Sequence, residues 1–224
     1  MRSIARGWNR HDLRHAIATL TLGAVTGIVT ALLVHQQGII VHTAWPAPMT
    51  AARETLGYLL CFEVYFYALH RLLHVRGVYR WIHVVHHRSM SPSALSGLAF
   101  HPVEALLIIG FVPVAMWALP VHLASLACVS AFLSGSILLA HSGVAWFPVW
   151  WERVPVLNWY VTPRVHVRHH ARGDCNYSAT LSICDRVFGT FAAPEAHGRA
   201  ARAIASTISV TADSLGGPVT RRSG

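Results

Sequence analysis

The sequence predicts an all-α integral membrane protein, a four-helix bundle with a histidine-rich cap on its cytoplasmic side. Three observations support this fold class. The chain of 224 residues is 54% hydrophobic and only 12% charged, whereas about a quarter of the residues of a soluble domain are charged. Four apolar stretches follow one another, most of them near the ~20 residues that cross a bilayer core. Eight histidines lie in three short blocks outside these stretches.

The first apolar stretch, residues 16–34, follows a basic N-terminal segment, residues 1–15. The apolar core of a signal peptide has about 7–15 residues, and this stretch is longer. We therefore expect a retained transmembrane helix, which with its outer loop makes up residues 16–55.

The other three stretches are residues 55–69, 102–119 and 121–140. The first of them is short for a full crossing, so we expect its helix to extend beyond the membrane interface. Pro113 interrupts the next stretch. Because Pro120 alone separates the last two, the sequence predicts a helical hairpin with almost no exposed loop.

The arginines predict the orientation in the membrane. The chain has 18 basic residues, all arginine, and 9 acidic ones. Four arginines precede the first stretch and four lie between the second and third, whereas only Arg53 falls on the opposite side. Positive residues favour the cytoplasmic side, so we expect a multi-pass protein of a bacterial inner membrane with both termini in the cytoplasm. The arginines lie beside apolar runs and form no separate patch, which argues against nucleic-acid binding.

Two segments follow the last apolar stretch. Residues 144–161 are rich in Trp and Tyr, which favour membrane interfaces, so we expect them to lie along the inner surface; a buried helix is the alternative. Residues 192–224 lack aromatic residues and predict a flexible tail. The four cysteines contain no CxxC pair and predict structural, unpaired roles, with Cys61 and Cys128 in the core.

The histidine blocks predict a di-metal cap. Residues three or four apart share a helix face, and imidazole is the commonest metal ligand among side chains. Eight imidazoles without interleaved thiolates suit iron, zinc or copper, and one ion rarely takes eight, which indicates two. The orientation above places all three blocks on the cytoplasmic side. The blocks comprise His70 and His74; His83, His86 and His87; and His166, His169 and His170.

Other polar residues are candidates for supporting roles. Glu63 lies within an apolar stretch and shares a helix face with His70 and His74, so it is expected to accept the second N–H of a ligand imidazole. A helix-packing hydrogen bond is the alternative. Asp174, Asn176 and Asp185 are similar candidates, although a turn also explains Asn176. Histidines 35, 42 and 122 fall on the opposite side and are expected to be bystanders.

The histidine blocks and their neighbours resemble the fatty acid hydroxylase/sterol desaturase superfamily. The resemblance rests on residues 63–74, 81–87 and 158–170, and on Asp174-Cys-Asn-Tyr177 and Asp185-Arg-Val-Phe-Gly-Thr190. It covers residues 56–191, which would form the catalytic domain. It implies an integral membrane di-iron oxygenase that acts on a lipid-like membrane substrate with O₂ as co-substrate.

The resemblance also implies roles for particular residues and partners. The eight histidines of the blocks would hold two iron ions, which zinc can replace on purification. His141 would be a further ligand, and His101 would either be a ligand or orient one. Some members carry another histidine where this chain has Ala145. Electrons would come from a separate protein such as a ferredoxin or cytochrome.

Three functions compete on this evidence. Hydroxylation of an unactivated C–H bond is preferred, and desaturation on the same metal centre stays open because sequence does not separate the two. A non-enzymatic metal transporter or sensor is a remote alternative, since transport sites lie near the bilayer midplane whereas these blocks lie at helix ends. A zinc protease is disfavoured because the chain contains no HExxH.

Overall fold

The computed structural model describes residues 9–37, 41–89, 93–119 and 121–194. Helix α1 (Arg10–Gln37) begins before the predicted stretch and ends after it. Leu20 and Ile28 on this helix are 58% and 61% exposed. Large apolar side chains on a helix surface suit contact with lipid, and α1 is long and apolar enough to cross a membrane. Of the predicted tail, residues 195–224 lie outside the described residues.

Helix α2 (Pro48–Leu73) confirms that the short second stretch belongs to a longer helix. Proline at its first position is favourable because the first N–H groups of a helix have no partner within it. Tyr58 of α2 packs with Ala115 and Val129 in a buried apolar cluster. This packing joins α2 to the helices formed by the third and fourth apolar stretches.

The third stretch forms two helices, α5 (Pro102–Ile109) and α6 (Phe111–Ala118), joined at Gly110. The interruption therefore lies three residues before Pro113. Proline lacks an N–H group, and in the first turn of α6 that loss breaks no hydrogen bond within the helix.

Helix α7 (Leu123–Ala140) follows a link that the all-α pattern did not predict. Strands β1 (Val41–His42) and β2 (Val121–His122) pair in parallel, two residues each. The His42 ring stacks on that of His122 at 4.8 Å, and His122 Nδ1 lies 2.8 Å from Glu54 Oε1. These histidines therefore lie near the start of α2, whereas His70 lies near its end.

The described part of the chain is mostly helical, and two of its helices, α1 and α7, have the length and composition of membrane spans. Between α7 and α8 (Pro163–Arg172) the chain forms loops and two 3-10 turns, Val149–Arg153 and Leu157–Trp159. Trp146 and Trp150 are exposed there, so the buried-helix alternative is wrong.

The remaining described elements are short: α3 (Arg76–Tyr79), α4 (Val84–His87), α9 (Ile183–Val187) and the 3-10 helix Ala94–Leu98. All four cysteines are free thiols, as predicted. Cys61 and Cys128 are exposed rather than in the core, because they lie on the outward faces of α2 and α7.

Candidate metal centre

Helix α8 presents the third histidine block because its ends are fixed by local sequence. The Thr162 hydroxyl accepts a hydrogen bond from Val165 N, and Pro163 takes the first helical position. Gly173 ends the helix at φ 71°, in the left-handed region, where glycine is not strained. The ten residues between these ends make three helical turns, so His166 and His170 share one face.

The other histidines come from three neighbouring elements. His70 lies in the last turn of α2 and His74 follows its end. The second block lies on and just before α4. His141 directly follows α7, so the helix end brings a ninth histidine to the three blocks.

The nine histidines form two adjacent clusters, in each of which one nitrogen per residue lies within 4.8 Å of the others. His86 and His87 of α4 belong to different clusters, and so do His169 and His170 of α8. The second and third blocks therefore each contribute histidines to both clusters. The His87 and His170 rings, one from each cluster, lie 4.5 Å apart. The five-histidine cluster contains His70, His74, His83, His87 and His169, and the four-histidine cluster contains His86, His141, His166 and His170.

The Nε2 atoms point towards one another within each cluster. In the five-histidine cluster, His70 Nε2 lies 3.0 Å from His83 Nε2. In the four-histidine cluster, His166 Nε2 lies 2.8 Å from His141 Nε2. Each cluster therefore concentrates several nitrogen atoms around a small volume.

Backbone carbonyl groups fix the tautomer of three of these histidines. His70 Nδ1 donates to Tyr177 O at 2.7 Å, and His169 Nδ1 donates to Cys175 O at 2.8 Å. His141 Nδ1 donates to Ile137 O at 2.9 Å. A neutral imidazole with its proton on Nδ1 has a lone pair on Nε2.

The donor set therefore fits metal cations. Lone pairs that face one another at about 3 Å cannot form hydrogen bonds and repel, whereas a cation between them is attracted to all of them. Burial also lowers the pKa of these imidazoles, to about 3 for His87 and about 4 for His169. The histidines are thus held in the neutral form that binds metal.

A carboxylate that sequence analysis did not single out orients a fourth histidine. His83 Nδ1 donates to Glu104 Oε1 at 2.7 Å, and both side chains are buried. A carboxylate in this position fixes the ring and raises its basicity as a ligand. The signal was available, because Glu104 is an acid within an apolar stretch, as Glu63 is.

The role predicted for Glu63 is wrong, and the packing alternative holds. Glu63 Oε1 accepts hydrogen bonds from Thr180 N at 2.9 Å, from Leu181 N at 3.1 Å and from the Thr180 hydroxyl. Glu63 therefore binds α2 to the segment that follows α8. That segment carries the Cys175 and Tyr177 carbonyls, so the effect of Glu63 on the imidazoles is indirect.

The candidates in residues 174–190, which we call the closing segment, have different roles. Asn176 adopts a left-handed φ of 57°, and its amide contacts Val165 O and the Ala192 backbone rather than an imidazole. Asp185 is buried and accepts hydrogen bonds from Tyr177 N at 2.8 Å and Ser178 N at 2.9 Å. Asp174 is exposed and pairs with Arg172, so it orients no imidazole.

His101 belongs to neither cluster of the described residues. Its Nδ1 accepts a hydrogen bond from Val103 N at 3.2 Å, which caps the start of α5. Capping satisfies an N–H group that has no partner within the helix.

The histidine clusters lie within the region of the chain that known proteins match. The sequence profile of the fatty acid hydroxylase family matches residues 55–190. Methylsterol monooxygenase 1 of Gallus gallus is 30% identical over 138 residues, covering 61% of this chain and 45% of that protein. A Delta(7)-sterol 5(6)-desaturase of Gibberella zeae is 30% identical over 147 residues, 62% of this chain and 37% of that protein.

A very-long-chain aldehyde decarbonylase of Oryza sativa subsp. indica is 33% identical over 141 residues, 61% of this chain and 51% of that protein. The matches cover about half of these relatives or less. No solved structure gives a significant match.

The fold and the site define a helical protein with membrane helices and histidine clusters suited to metal. Because the family profile covers more than half of the chain, the protein belongs to the fatty acid hydroxylase family. The predicted resemblance is confirmed, and these relatives are oxidoreductases.

Proposed function

We propose that the protein is a membrane di-iron oxygenase that hydroxylates an unactivated C–H bond of a lipid-like substrate. The observation that carries this proposal is the pair of adjacent clusters in which neutral histidines direct their Nε2 atoms towards one another. Each cluster would hold one iron ion through its own histidines. Two such ions, when bound, supply the electron transfer to O₂ that the attack on a C–H bond requires.

The proposed topology has four membrane crossings: α1, α2, the α5–α6 pair and α7. The arginine distribution supports cytoplasmic termini, and the exposed Trp146 and Trp150 support an interfacial position for the segment after α7. The clusters would then lie at the cytoplasmic ends of the crossings. A substrate could remain in the bilayer while a separate electron donor, a ferredoxin or cytochrome, approaches from the cytoplasm.

Desaturation of a lipid or sterol is the second candidate, because a sterol desaturase is among the similar proteins. The two reactions differ in product mass, since hydroxylation adds one oxygen atom and desaturation removes two hydrogen atoms. Lipid extracts of cells with and without the gene, compared by mass spectrometry, would separate them.

The metal assignment is tested on iron-loaded protein purified in detergent. We expect two irons per chain, and product formation that requires O₂ and a reductant. His169→Ala, which removes a nitrogen from the five-histidine cluster, should lower product formation at least about 100-fold, more than the loss of an orienting residue. His35→Ala on α1 is the matched control. Full activity of His169→Ala would contradict the assignment.

A further inference from the structure

A small cavity lies beside the four-histidine cluster. Its volume is about 70 Å³, and its walls include Ser89, Ser96, His141, His166 and His170. A water molecule occupies ~30 Å³ in the liquid, so the cavity has room for a ligand of two or three atoms. Since three of the four histidines line it, a ligand there would lie against an ion held by this cluster.

Each of the two serine hydroxyl groups donates its hydrogen atom to an acceptor of the protein. Ser89 Oγ donates to Asp12 Oδ1 at 2.6 Å, and Ser96 Oγ donates to Ser93 O at 2.7 Å. A hydroxyl group has a single hydrogen to donate. The two serines can therefore only accept hydrogen bonds from a ligand in the cavity.

Asp12 connects helix α1 to this cavity. It lies in the first turn of α1, is 3% exposed and also contacts His11 Nδ1 at 3.2 Å. Its carboxylate adds negative charge next to a cavity wall, which disfavours an anion inside. Helix α1 precedes the region that matches the family profile, so this feature comes from a part of the chain that the profile does not cover.

We propose that the cavity binds a small neutral ligand that donates hydrogen bonds, such as water, and that Asp12 sets this preference by holding the Ser89 hydroxyl. Such a ligand would direct its oxygen to the ion and its hydrogens to the serines. Asp12 is thus a positioning residue, since it acts through Ser89. The inference rests on the proposed metal binding by the four-histidine cluster.

Azide is a suitable probe because it is a small anion that only accepts hydrogen bonds. The full chain is loaded with cobalt(II), and azide is titrated while the visible absorption of the cobalt is recorded. Wild-type protein should bind azide weakly. Asp12→Ala removes the charge and frees the Ser89 hydrogen to bond to azide, so its affinity for azide should rise at least about tenfold, near the lower end for a hydrogen bond to a charged group.

Two further variants separate the parts of the proposal. Asp12→Asn keeps an acceptor for Ser89 but removes the charge, so its azide affinity should lie between wild type and Asp12→Ala. Ser89→Val takes up part of the cavity with an apolar methyl group and should weaken azide binding. Ser125→Ala is the matched control, because Ser125 is a buried serine near the start of α7, at the opposite end from His141.

Cobalt content gives the second readout, and it should stay at two per chain in every variant. Azide affinity that is unchanged or weaker in both Asp12 variants, with two cobalt ions bound, would overturn the role of Asp12. Wild-type azide binding retained in Ser89→Val would place the ligand elsewhere. If wild-type protein binds fewer than two cobalt ions, the proposed di-metal function itself fails, which is a different result.

Discussion

Glu63 and Glu104 are both buried acids within apolar helices, yet they bind different kinds of group. Glu63 accepts hydrogen bonds from backbone N–H groups of the closing segment, and Glu104 accepts one from the His83 ring. Helical spacing related Glu63 to His70 on its own helix, but spacing does not identify what lies opposite that face. The acid that orients an imidazole therefore comes from a different helix.

Replacement of Glu104 should weaken metal binding. Glu104→Gln keeps the size of the side chain and an oxygen acceptor for His83 Nδ1, but it removes the negative charge that makes His83 a stronger ligand. Loss of such a partner usually costs 10–100-fold in metal affinity. Competition of the protein with a chelator for cobalt(II) would measure the change.

Glu63→Gln is the comparison for that measurement. Its oxygen can still accept from Thr180 N and Leu181 N, and it contacts no histidine ring, so metal affinity should stay closer to wild type. Equal losses of affinity in both variants would show that Glu104 acts only through packing.

At the scale of elements, the closing segment holds imidazoles in place through its backbone. The Cys175 and Tyr177 carbonyls each accept an imidazole N–H, while Asp185 in turn binds Tyr177 N and Ser178 N. The orientation of the His70 and His169 rings therefore depends on this loop and on the buried Asp185 carboxylate. Glu63 ties the same loop to α2.

Asp185→Asn should destabilise this segment. In the wild type each carboxylate oxygen accepts from one backbone N–H. The substitution replaces one oxygen with an NH₂ group, which cannot accept, so one of the two N–H groups loses its partner. A buried donor without a partner costs about 1–3 kcal/mol. We expect a lower melting temperature of the purified protein and faster loss of bound metal.

Asp174→Asn is the matched control, since it removes a charge eleven positions earlier on an exposed side chain that pairs with Arg172. It should leave both melting temperature and metal retention unchanged. An equal effect of the two substitutions would contradict the role given to Asp185.

For the whole molecule, orientation in the membrane is the testable property. In a variant without the four native cysteines, Ala44→Cys is expected on the outer side and Val187→Cys on the cytoplasmic side; both positions are exposed. A membrane-impermeant maleimide should label the first in intact spheroplasts and the second only after permeabilisation. Labelling of Val187→Cys in intact spheroplasts would contradict cytoplasmic histidine clusters.

Local sequence determined the parts of this protein that depend on neighbours along the chain. Apolar stretches predicted α1, α2 and α7, because burial in a bilayer needs a continuous run of apolar residues. The spacing of His166 and His170 placed both imidazoles on one face of α8, and Thr162, Pro163 and Gly173 mark the ends of that helix. Family resemblance added His141 and the chemistry.

The tertiary structure alone decided how the histidines divide and what holds them. His86 and His87 are adjacent in sequence but enter different clusters, because successive side chains of a helix point about 100° apart. The partners of the outer nitrogens, Glu104 and three backbone carbonyls, come mostly from other segments. Such contacts depend on packing between distant parts of the chain, which no local pattern records.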